Sequence, residues 1–114
     1  RPVIYGQDDL LPATVEEALS HPVFKLVDAI EAANGSTAER ENLLALQVAQ
    51  RLGLSVTGGS DAHSLEGLGR CATAFEGEII SEAQFLESLR LGAFYPVYDL
   101  RSGQIKRFSL KEGE

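Results

Sequence analysis

Methionine and tryptophan are absent from this chain, and cysteine occurs once, at Cys71. A single cysteine excludes an internal disulfide, and such sparing use fits a reducing compartment, so a cytoplasmic location is expected. The missing methionine means that the 114-residue sequence, which opens "RPVIYG", does not contain its own start residue. It is therefore expected to be a mature chain or a piece of a longer one, and the residues below favour a piece. Long apolar runs are missing too. Nothing approaches the roughly 20 residues needed to span a bilayer, and no secretory leader is read, so no membrane is expected as a partner. Positive charge is also scarce. Ten Lys and Arg stand against 17 Asp and Glu, a formal charge of −7 with a pI near 4.8. That balance argues against nucleic acid as a partner.

What is present is ordinary globular composition, 44% hydrophobic and 24% charged with a mean hydropathy of −0.05. The length suits a single domain over residues 1–114, and no repeat, low-complexity tract or linker interrupts it. Three segments begin with a Ser or Thr followed three residues later by Glu or Gln, the capping-box spacing: Thr14 with Glu17, Ser36 with Glu39, and Ser81 with Gln84. The first predicts a short helix, "VEEALS", ending near His21-Pro22, because proline disfavours helix in the residue before it. The second predicts the longest helix, from Ser36 to about Leu52, with Leu44, Ala45, Val48, Ala49 and Leu52 as its apolar stripe and Gly53 as its cap. The third predicts a helix from Glu82 to about Leu91 that buries Phe85, Leu86 and Leu89 and stops at Gly92.

Between these lie short apolar runs. "LSVT" (54–57), closed by Gly58-Gly59, reads as a strand. "FYPVY" and "IKRFSL" read as strands around a turn at Arg101-Ser102-Gly103. "FKLVDAIEAAN" (24–34) is open to two readings, since its Ala and Glu content suits a helix and its Asn34-Gly35 stop allows a buried strand. As a strand it completes a parallel βαβ unit with the long helix and "LSVT". Phe94, Tyr95 and Tyr98 read as sheet packing, and Cys71 as a small buried residue. Arg40 is expected to pair with neighbouring glutamates.

In that arrangement Asn34 and the Ser60-Asp61-His63 group fall at the C-terminal ends of two parallel strands, the edge where α/β folds bind ligands. Asp61 and His63 are one residue apart, so in an extended stretch both side chains point to one side. A carboxylate oxygen beside an imidazole nitrogen suits Zn²⁺, Mn²⁺ or Fe²⁺. The plain alternative is a turn in which Asp61 caps backbone amides and His63 is exposed.

The longer string "TGGSDAHSLEGLGRCATAF" resembles the closing motif of the PHP (polymerase and histidinol phosphatase) superfamily of metal-dependent phosphoesterases. Upstream, "VDAIEAANGSTAERENLLALQVAQRLGL" is similar to that family's strand, Asn-Gly turn and long helix, so that the resemblance runs from Val27 to Gly92. It implies an α/β fold, a partial PHP-like βα-barrel with a parallel βαβ unit and a C-terminal hairpin. It further implies hydrolysis of a phosphate-ester substrate at divalent metals, Zn, Mn, Fe or Mg, with Asp61 and His63 matching the family's last two ligands. Arg70 and Ser60 are then candidates to meet the substrate, and Glu31 and Asn34 candidates to support the ligands from behind. Arg70 could equally form a surface salt bridge, and Asn34 could simply supply the turn before Gly35.

The family's opening His-x-His has no counterpart here, where His21 and His63 are the only histidines. His21 reads as a helix-end residue, and Arg1-Pro2 stands where a family His-Pro would align. A catalytic zinc site takes about three protein ligands. Asp61 and His63 give two, with Glu31, Asp28 and Glu66 as further candidates. The chain alone is therefore expected to be inactive, either the C-terminal part of a PHP-type phosphoesterase or a non-catalytic PHP-associated module binding an anion or a partner chain. Apolar edges at "PVIY" and "FYPVYDL" lead to the further expectation of a homodimer.

Overall fold

The computed structural model describes residues 14–110. It begins with helix α1 (Val15–Leu19), whose N-cap Thr14 accepts a hydrogen bond from the Glu17 amide at 3.2 Å. A 3-10 turn over Pro22–Lys25 follows, with the His21 ring accepting from the Val23 amide at 3.1 Å. His21 is thus a turn-capping residue, as its position after the helix suggested.

The ambiguous segment 24–34 resolves into that turn and strand β1 (Ala29–Asn34). Strand β1 leads through helix α2 (Glu39–Leu52) to strand β2 (Ser55–Gly59), which pairs with β1 in parallel and completes the expected βαβ unit. The register slips between Glu31 and Ala33, a bulge at Ala32 that breaks strict alternation. Two consecutive alanines, Ala32 and Ala33, are consequently both buried. Their small side chains let α2 pack close, and α2 answers with Leu46, Val48 and Ala49. Leu46 lies outside the stripe read from the sequence, while Leu52 at its end is 40% exposed.

The second sheet is antiparallel and consists of β3 (Cys71–Phe75), β4 (Phe94–Tyr98) and β5 (Lys106–Arg107), in the order β3-β4-β5. Strand β3 was not read as a strand from the sequence. One side chain joins the two sheets: the Thr73 hydroxyl accepts from the Gly58 amide at 2.9 Å and donates to the Gly58 carbonyl at 2.7 Å. Phe94, Pro96 and Val97 fill the core beneath. The architecture is mixed α/β, and no barrel closes among the described residues.

Four expectations need correction. Helix α2 starts at Glu39 with Ala38 as N-cap and no side-chain cap, because the Ser36 hydroxyl is engaged elsewhere. "FYPVYDL" is not a free edge: β4 lies between β3 and β5. Pro96 shortens the outer ladder, since its carbonyl accepts from the Phe108 amide at 2.9 Å but it has no N–H to return. Helix α3 (Glu82–Leu91), capped by Ser81 as expected, buries none of its residues, and Phe85, Leu86 and Leu89 are exposed. Arg40 has no ion-pair partner among the described residues. The other edge, "PVIY", and the Arg1-Pro2 position lie outside the described residues.

Candidate functional site

Parallel pairing sets Asn34, the last residue of β1, beside Gly59, the last of β2. Their following loops therefore leave the sheet side by side. Asn34 organises the first loop. Its Oδ1 accepts from the Ser36 amide at 2.9 Å, its carbonyl accepts from the Thr37 amide at 3.3 Å, and its Nδ2 donates to Glu31 Oε2 at 2.8 Å. The chain can then turn into α2 without a regular cap.

Two glycines allow the loops to touch. The Gly35 amide donates to the Gly59 carbonyl at 3.0 Å, and a Cβ on Gly35 would sit 2.6 Å from the Ser60 carbonyl oxygen. A Cβ on Gly59 would sit 2.6 Å from Glu31 Oε1. Glycine gives that room at both positions, strictly at Gly35, where the obstacle is backbone, and less so at Gly59, where it is the end of the flexible Glu31 side chain.

This contact holds Asp61 in an uncommon conformation. Its φ is 50°, one of two non-glycine residues with positive φ among those described. The Ser36 hydroxyl donates to the Asp61 carbonyl at 2.6 Å and anchors it. A carboxylate-bearing residue kept in the left-handed region by a cross-loop bond is a strained position maintained by its surroundings. Asp61 is half-buried and His63 exposed. Among the described residues, neither side chain has a hydrogen-bond or ion-pair partner.

The remaining sequence candidates are distributed as follows. Glu31 bonds Asn34 rather than His63, so its contact supports the β1 loop. Ser60 contributes its backbone to the junction with Gly35. Arg70 reaches across and donates from Nη1 to the Gly35 carbonyl at 3.5 Å. Glu66 accepts from the Ser64 hydroxyl at 2.8 Å, and this bond, a backbone amide and the nearby Arg70 charge hold its carboxyl below the usual range. Asp28 is exposed just before β1. Cys71 pairs with Tyr98 in the sheet, and burial, helped by the Glu31 charge, pushes its thiol up, which suits packing rather than nucleophilic chemistry.

No group of three or more His, Cys, Asp or Glu side chains able to hold a metal occurs among the described residues. By themselves these residues do not fit a resident metal, for which about three protein ligands are needed. Sequence reasoning also missed several contributors. Asn42 bonds the end of β1 twice, its Oδ1 accepting from the Asn34 amide at 3.3 Å and its Nδ2 donating to the Asn34 carbonyl at 3.0 Å. Arg101 donates to the Glu66 carbonyl, fastening the β4–β5 turn to the loop that follows Asp61. Neither shows a local signal, because both partners are distant in sequence.

Residues 39–94 match the family model described as PHP-associated. The matched segment runs from the start of α2 to the start of β4 and contains Ser60, Asp61, His63 and Arg70. No curated protein and no solved structure matches the chain.

Proposed function

We propose, with the PHP-associated domain at residues 39–94 as premise, that this chain supplies Asp61 and His63 as two ligands of a divalent metal centre in a PHP-type phosphoesterase. The further ligands come from sequence outside the described residues or from a PHP-family partner. The observation that carries the reading is the strained Asp61, held at φ 50° by the Ser36 hydroxyl at the C-terminal edge of a parallel strand pair. Ser36, Gly35 and Asn34 act as the support that fixes the Asp61 backbone, and Arg70 braces the same loop. Phosphoester hydrolysis belongs to the completed centre, not to this chain alone.

The test uses the full-length protein. Asp61→Ala and His63→Ala should each lower bound metal, measured by elemental analysis, and reduce hydrolysis of a generic phosphate ester by at least tenfold. Unchanged metal content and activity in both variants would overturn the reading. A second reading, a non-catalytic PHP-associated module that docks on a partner chain, draws on the exposed Phe85, Leu86 and Leu89 of α3. It expects wild-type metal content in both variants and loss of association in Leu86→Asp.

A further inference from the structure

We infer that the cleft between the β1–α2 loop and the β4–β5 segment binds a small phosphorylated ligand through Arg70, Arg101 and Arg107. The cleft has a volume of about 670 Å³, and Asn34, Thr37 and Tyr98 line it together with the three arginines. That size is typical of small-molecule sites. Neither Asp61 nor His63 lines it, so the inference stands whether or not the metal reading does.

The argument rests on how the arginines are partnered. Away from the cleft, two of the three described guanidinium groups meet carboxylates, Arg51 lying 3.6 Å from Glu16 and Arg90 pairing with Glu87, while Arg40 meets none. The cleft trio differs. Arg70 donates to the Gly35 carbonyl, Arg101 to the Glu66 carbonyl, and Arg107 lies 4.5 Å from the centre of the Tyr95 ring. A carbonyl or a ring face orients a guanidinium without cancelling its charge. Among the described residues, none of the three forms an ion pair with a carboxylate.

Among the described residues, two carboxylates line the cleft. Asp99 is taken by Lys106 at 2.8 Å. Glu39 stands in the first turn of α2, where the helix dipole favours an acidic group. The cleft therefore keeps net positive charge in a chain whose formal charge is −7. Arginine's planar fork matches phosphate oxygens, which makes a phosphoryl group the fitting occupant. A nucleic-acid strand fits less well, because the overall negative charge repels a long polyanion. Tyr98, braced edge-on by Phe108 with ring centres 6.3 Å apart, gives the cleft an apolar wall for an organic group.

Calorimetric titration of the full chain with inorganic diphosphate, in EDTA at fixed ionic strength, tests this. Saturable one-to-one binding is expected, weakened at least tenfold in Arg107→Gln and further in Arg70→Gln/Arg107→Gln. Arg107→Lys should fall between wild type and Arg107→Gln. Arg90→Gln removes the same charge elsewhere and should stay within twofold of wild type. Arg107→Gln spares the loop-bracing bonds of Arg70 and Arg101, and thermal melts check that each variant is folded. ATP binding more tightly than inorganic triphosphate would support the Tyr98 wall, and equal affinity would support a site that reads phosphate alone. No saturable binding of any of these anions, or an equal loss in Arg90→Gln, would overturn the proposal. An equal loss in Asp61→Ala would overturn a cleft separate from the Asp61 loop.

Discussion

Helices α2 and α3 have much the same grammar and opposite fates. Each carries an apolar stripe, each closes on a glycine in the left-handed conformation, and each is followed directly by a strand. Helix α2 presses Val48 and Ala49, both 1% exposed, onto β1 and β2. Helix α3 leaves Phe85, Leu86 and Leu89 at 40%, 54% and 38% exposure, with one aromatic contact among the described residues, Phe85 with Phe75 at 5.5 Å. An apolar stripe states that a helix needs cover; it does not state that the same chain provides it. Apolar side chains grouped on the surface in this way are the usual mark of a contact face.

The contrast is strongest in charge insertion. Ala49→Asp buries an unpaired carboxylate against β1 and should abolish cooperative unfolding in a thermal melt, since such a cost rivals the whole stability of a small domain. Leu86→Asp on α3 should change stability by about 0.5 kcal/mol or less. Comparable losses in the two variants would break the comparison. Next in size is the seam between the sheets. Thr73→Val keeps the shape but strips both bonds to Gly58, and should cost about 2 kcal/mol in denaturant titration.

Asp61 should show the reverse sign. Asp61→Gly relaxes a left-handed residue and should be neutral to stabilising by roughly 1 kcal/mol, even as it removes the proposed ligand. A clear destabilisation would mean that the carboxylate supports the fold. The smallest effect belongs to Asp99 and Lys106. The Lys106 ammonium holds the Asp99 carboxyl below its usual range, and Asp99 in turn raises Lys106. A depressed carboxylate stabilises above its unfolded value and ceases to as pH falls through the folded one. The raised ammonium stabilises below its unfolded value and ceases to as pH rises through the folded one. Asp99→Asn should therefore narrow the difference in melting temperature between pH 7 and pH 3 slightly, in a scan at low salt.

What the sequence made legible was local. Thr14, Ser81, Gly53 and Gly92 mark helix ends through bonds that span three or four residues, and each is found in that role. The parallel pair realises one of the two readings left open for 24–34, and of the expected strand "IKRFSL" only Lys106–Arg107 pairs in the hairpin. Ser36 misled because its hydroxyl had two suitors, a helix amide three residues on and the Asp61 carbonyl 25 residues away. The distant one prevails here, and no spacing rule could weigh it. Strand β3 escaped notice because "CATAF" is short and Ala-rich, and its strand character comes from pairing with all five residues of β4. Of the candidate site, Asp61, Ser60, Asn34, Gly35 and Arg70 do converge on one loop junction. The arginine cleft was invisible for the same reason as β3, since it is assembled from segments that meet only in the folded chain.

The paired bonds from Asn42 to both backbone groups of Asn34 have a mechanical consequence. They tie the start of a 14-residue helix to the tip of a strand. The Asn34 side chain in turn accepts from the Ser36 amide, and the Ser36 hydroxyl holds the Asp61 carbonyl. The start of α2, the end of β1 and the Asp61 backbone are thus one unbroken run of hydrogen bonds.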